Sequence, residues 1–109
     1  MIPQSNNTIF CHIILFNFKQ GIAEENFIAA AKNLTIIPAV QKLEYFKQLN
    51  TTNKFEYGMS IEFATQQLYE QYMAHPVHVA FVQQHWIPEV EDSMMIDFEV
   101  SGTPMPLTS

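Results

Sequence analysis

The sequence predicts a single α+β domain with element order β-α-β-β-α-β: an antiparallel sheet with helices on one face. Three patterns carry this. Residues 55–63 alternate Phe55, Tyr57, Met59, Ile61 and Phe63 with Glu56, Gly58, Ser60 and Glu62, the period of two that marks a half-buried strand. Residues 23–36 place Phe27, Ala31 and Leu34 on one helical stripe. Residues 9–18 are apolar on both alternating sets, Ile9, Cys11, Ile13, Leu15 and Phe10, His12, Ile14, Phe16, Phe18. A strand in a small antiparallel domain is normally wetted on one face, so this one is expected to meet helices on one side and a second copy of the chain on the other.

In chain order, residues 1–8 are polar and expected to be loose, and the domain occupies residues 9–100. After Lys19-Gln20-Gly21 the first helix opens with Glu24 and Glu25, which the positive end of a helix dipole favours, and Ile37-Pro38-Ala39 ends it. Residues 42–49 form a second, more polar strand that sets Leu43, Tyr45 and Lys47 against Glu44, Phe46 and Gln48. Residues 50–54 are a turn by composition, and the regular strand 55–63 follows. Thr65 is the expected N-cap of a helix over 66–74, with Leu68 and Tyr72 aimed at the sheet. Proline disfavours helical geometry in the residue before it, so this helix should stop near His75. A further helix is expected over 78–87, with Val79, Val82 and Trp86 on one stripe and Pro88 breaking it. Residues 89–92 should turn the chain into a last strand, 93–100, and residues 101–109 form an irregular tail that could lie across a neighbour. The order is that of a ferredoxin-like split βαβ plan.

The chain has 109 residues, 48% of them hydrophobic, and a formal charge of −6. That is enough for one core. Arginine is absent, and all five lysines precede residue 55; of eleven acids, Glu24, Glu25 and Glu44 come earlier and eight follow. A nucleic-acid binder needs a basic footprint, so no nucleic-acid partner is expected. Three glycines in no phosphate-binding arrangement argue against nucleotides. One cysteine, Cys11, makes no internal disulfide and reads as a buried, inert thiol. No apolar run approaches the length of a membrane span, so a soluble, cytoplasmic protein with no membrane partner is expected.

The chemistry concentrates in Tyr72-Met73-Ala74-His75-Pro76-Val77-His78-Val79-Ala80-Phe81-Val82. A bend at Pro76 would bring His78 back to Tyr72, setting an imidazole of ordinary pKa ~6.5 beside a phenol of ~10 in apolar surroundings. His75 fits the plainer role of closing a helix end. For His78 a structural and a functional role stand level. His75 and His78 lack the i, i+4 spacing of a metal pair, and neither a metal nor an organic cofactor is expected.

The stretch His12 to Lys19, Ile36-Ile37-Pro38, Tyr57 to Phe63, the Y-x-x-H-P-x-H-x-x-F motif from Tyr72 to Phe81, and Asp97-Phe98 together resemble the stress-responsive A/B barrel (Dabb) family. The resemblance spans about residues 10–99, and the helix motif is its most specific part. It implies a homodimeric α/β barrel built by two sheets packing face to face. A similar plant enzyme, olivetolic acid cyclase, closes a linear tetraketide thioester by an aldol reaction. The resemblance to it assigns His78 as catalytic base and Tyr72 as its orienting partner, with His12 in the pocket. Tyr57 stands where that enzyme has a histidine, and a phenol does not titrate near neutrality.

Three functions are compatible with these features. One is a cyclase or lyase acting on a keto or polyketide-like substrate, with His78 and Tyr72 catalytic and His12, Tyr57, His75 and Phe81 binding an apolar or aromatic ligand. Its pocket is expected to be lined by Phe55, Met59, Ile61, Leu68 and Phe81; a region filled by side chains would exclude ligand binding, and an open apolar pocket of ~300 Å³ or more would allow it. The second is a non-catalytic, stress-associated binding protein, and the third a cofactor-free monooxygenase of the dimeric barrel type. Fold alone does not choose among them.

Overall fold

The structure, a computed structural model, describes residues 8–101. Its elements are β1 (Thr8–Phe18), α1 (Glu24–Lys32) with a 3-10 turn (Asn33–Ile36), β2 (Lys42–Lys47), β3 (Tyr57–Phe63), α2 (Gln66–Ala74), α3 (Pro76–Phe81), a π-helical turn (Val82–Trp86), α4 (Ile87–Glu89) and β4 (Val90–Ser101). The strands form one antiparallel sheet in the order β2-β3-β1-β4, as the ferredoxin-like plan requires. Apart from Thr8 and Ser101, the expected loose segment 1–8 and the tail 101–109 lie outside the described residues.

Register decides which side chains meet the helices. Phe10, His12, Ile14 and Phe16 of β1 pair with Phe63, Ile61, Met59 and Tyr57 of β3, and these eight side chains share the helix face. There Phe16, Phe27, Leu34, Ile37, Met59, Ile61 and Phe63 are almost wholly buried. Phe16 and Phe27, 5.3 Å apart, join sheet to α1, and Trp86 closes on both. Gly21, with φ of +84°, makes the left-handed turn between β1 and α1 that a side chain would strain.

The other sheet face is bare. Ile9, Cys11, Ile13 and Leu15 alternate with the helix-facing set, and β4 sets Val100, Phe98, Ile96 and Met94 beside them. Met94, Ile96, Phe98, Val100 and the β2 residue Phe46 are all exposed. At Gly58 a Cβ would come within 3.1 Å of Leu15 and 3.2 Å of Phe46, so the glycine lets these two side chains close over the sheet.

Several boundaries differ from expectation: β2 ends at Lys47 rather than at residue 49, β3 starts at Tyr57 rather than at residue 55, and β4 starts at Val90 rather than at residue 93. The helix after the proline begins at Pro76 itself, because His75 takes an extended backbone and Pro76 fills the first helical position, where no N–H is needed. Pro88 does not end the helical run; it sits in the first turn of α4, where its missing donor again costs little. The π turn between these helices shifts every later residue around the axis. Hence Trp86 is packed on the core while Val79, expected on the same stripe, is exposed. No turn separates helix from β4: Val90 pairs directly with Phe18, and the Lys19 amide donates to the Glu89 carbonyl at 2.8 Å.

Candidate functional site

Four of the six expected site residues, His12, Tyr72, His78 and Phe81, line one cavity of about 250 Å³. Ile14, Met59, Met73, Val82, Trp86 and Met95 complete its wall. The local sequence explains the convergence. Thr65 Oγ1 accepts from the Leu68 amide at 3.1 Å and starts α2, which carries Tyr72 to the sheet. His75 then caps two helices at once: its amide donates to the Tyr72 carbonyl at 3.1 Å, and its Nδ1 accepts from the Val77 amide at 3.1 Å. The resulting bend folds α3 back, leaving the His78 ring 4.5 Å from the Tyr72 ring.

Each imidazole in the cavity has one nitrogen committed. His78 Nδ1 lies 3.0 Å from the Met73 carbonyl, an acceptor only, so Nδ1 carries the proton and Nε2 of the neutral ring keeps its lone pair. Burial holds the His78 pKa below its ordinary value; the Met73 carbonyl opposes this, and nearby His12 adds to it. The base form of His78 therefore persists to lower pH than in a free histidine.

His12 is 5% exposed, and its Nδ1 lies 2.5 Å from Asp97 Oδ1, the residue directly across the β1–β4 ladder. A carboxylate there fixes the proton of neutral His12 on Nδ1 and leaves Nε2 free. Asp97 also lines a cleft on the far side with Thr65 and Glu99, so the pair stands between the cavity and the outside. As a site residue Asp97 escaped the sequence reasoning: it is 85 positions from His12 and carries no signal in its own strand beyond its place in the Asp97-Phe98 motif.

Tyr72 is 2% exposed, and its hydroxyl has no hydrogen-bond partner among the described residues. Burial raises its pKa, with Tyr69 adding a smaller push, so the phenol stays protonated as a donor. Tyr72 lines the cavity, where a ligand oxygen would supply its hydroxyl with an acceptor.

The other expected residues lie elsewhere. His75 is occupied at the helix junction and does not line the cavity. Tyr57 sits two register pairs beyond Met59, against Phe16 and Phe18, and its hydroxyl donates to Glu24 Oε1 at 3.5 Å while Tyr45 donates to Oε2 at 3.3 Å. Burial and the Glu24 carboxylate raise both phenols' pKa values. Phe55, Ile61 and Leu68 are also outside the cavity wall. Among the described residues no cluster of three His, Cys, Asp or Glu could hold a metal, and no helix is long and apolar enough to cross a membrane.

Sheet order, helix layer and the cavity beneath a proline-bent helix define an α+β, ferredoxin-like protein with a histidine- and tyrosine-lined pocket. The model of the stress responsive A/B barrel domain matches residues 10–100, and the chain belongs to that family. A Dabb family protein of ferredoxin-like fold from Mesorhizobium loti is 34% identical over 91% of this chain and 99% of its own, with a TM-score of 0.77. The hydroxynitrile lyase of Passiflora edulis superposes with a TM-score of 0.77 at 16% identity, over 89% of this chain and 97% of that one. A dimeric ferredoxin-like protein of unknown function from Thermobifida fusca gives 0.74 at 19% identity, over 86% and 92%. No curated protein matches the chain in sequence.

Proposed function

We propose that the chain is a homodimer whose protomers each perform cofactor-free acid/base chemistry, of lyase or cyclase type, on a small carbonyl compound. The observation that carries this is the Tyr72 hydroxyl, without a hydrogen-bond partner among the described residues, on the wall of one cavity with the His78 ring, whose Nδ1 is tied to Met73 so that Nε2 is the base. In the reaction His78 Nε2 takes a proton from a carbon next to a carbonyl, or from a hydroxyl whose carbon then releases a stabilised carbanion. Tyr72 donates to the oxygen on which charge develops, and His12 Nε2 faces the same substrate. Positioned proton transfer contributes about 10²–10⁴-fold, enough for an acidic carbon.

Cavity size selects among substrates. The cavity measures about 250 Å³. The volume falls below the ~300 Å³ at which ligand pockets commonly begin, so a small ketone, aldehyde or cyanohydrin fits better than a complete tetraketide thioester. The lyase name of the passion-fruit structure supports chemistry on this scale. Dimerisation rests on the bare apolar face of β1 and β4 and on the dimeric Thermobifida neighbour.

Aromatic ketones and cyanohydrins of this size, offered to wild type, His78→Ala and Tyr72→Phe, provide the test. Turnover by wild type with a loss of about 10²-fold or more in both variants is expected. Equal rates in all three would remove the pair from the reaction.

A further inference from the structure

We propose that the Phe81 ring is the partition that sets the length of ligand the cavity accepts, and that the groove between α1 and α3 behind it is the room a longer ligand would need. This rests on the reading of the cavity as a site for a small carbonyl compound. Phe81 is the residue that the walls of the cavity and of this groove share, while Met73, His78 and Val82 separate the cavity from a smaller space of about 160 Å³ on another side. On the sheet side it closes the 250 Å³ cavity that holds Tyr72 and His78. On the other it borders a groove of about 430 Å³, larger than the cavity itself.

The ring is held rather than free. It is 7% exposed, edge-on to Phe27 at 5.4 Å and stacked on His85 at 5.9 Å. Behind it the groove offers little bulk, since Ala29 and Ala30 of α1 and Ala80 of α3 present only methyl groups. Asn33, Gln84 and His85 also border the groove. A ligand passing the position of Phe81 would therefore meet methyl groups together with amide and imidazole groups. The ligand class defined by the joined space is a carbonyl head on an apolar chain with a hydrogen-bonding terminus. With Phe81 in place, a ligand extending in this direction stops at the carbonyl head and a short chain.

The test is a series of methyl ketones of increasing chain length, with binding followed through the fluorescence of Trp86, which lines the cavity. In wild type, affinity should rise about fourfold per methylene until the chain reaches Phe81, then fall. Phe81→Ala should move that break to longer chains by several carbons, Phe81→Leu by fewer, and Ala30→Phe added to Phe81→Ala should move it back. Phe81→Leu keeps an apolar side chain in the core and guards against a merely unfolded Phe81→Ala. A break at one length in wild type and both single variants, with short ketones bound by all, overturns the partition. Failure of short ketones to bind wild type overturns the carbonyl reading beneath it.

Discussion

Phe98→Asp should turn the proposed dimer into a monomer. Phe98 lies on the bare sheet face beside Cys11 and is 48% exposed in the isolated chain. An aromatic side chain presents ~200 Å², so about 100 Å² of this ring awaits a partner surface. At ~25 cal/mol per Å² its burial contributes about 2.5 kcal/mol. A two-fold interface uses the same patch on both subunits, which doubles the loss to about 5 kcal/mol. That corresponds to a dissociation constant weaker by between about 10³ and 10⁴. Sedimentation velocity over a concentration series reads the constant directly, with circular dichroism to show that the fold is intact. A folded variant that associates within about tenfold of wild type would refute the assignment of this face.

The remaining predictions concern the cavity and its supports. Because burial depresses His78, kcat/KM should stay flat as pH falls through 6.5 and drop only below it; an acid limb at or above 6.5 contradicts the desolvated base. As pH falls below 6.5 the unfolded chain takes up this proton first, so the stability His78 contributes above 6.5 should be lost between 6.5 and its lower folded-state value. Asp97→Asn leaves His12 free to change tautomer, and kcat should fall on the order of tenfold, about 1.4 kcal/mol, with an altered pH profile and little change in KM; Asp97→Glu should recover part of it. Thr65→Ala removes the cap on α2 and should cost about 1 kcal/mol in urea unfolding, while an unchanged midpoint would show that packing alone holds the helix.

The sheet was legible because its signal is local. Residues 57–63 alternate as written, and the two apolar faces of β1 anticipated both the helix layer and the bare face. The meeting of Tyr72 and His78 was legible too, since proline geometry forces the bend between them. What escaped depended on register or on helix type. Asp97 reaches His12 only through strand pairing across most of the chain. A π turn leaves no mark in hydrophobic periodicity, so a single stripe through Val79, Val82 and Trp86 did not part the exposed Val79 from the Trp86 that packs on the core. Tyr57 was placed by resemblance, and its position two pairs along β3 from Met59, with Glu24 as hydrogen-bond acceptor, follows from the ladder rather than from the residue.

The central claim is that this cavity removes a proton from carbon next to a carbonyl. Deuterium exchange at the α-carbon of a small aromatic ketone in heavy water, followed by NMR, measures that step without knowledge of the physiological substrate. Acceleration by wild type, lost in His78→Ala and reduced in Tyr72→Phe, is the predicted result. Exchange no faster with the protein than with buffer, although the ketone is bound in the cavity, would contradict it.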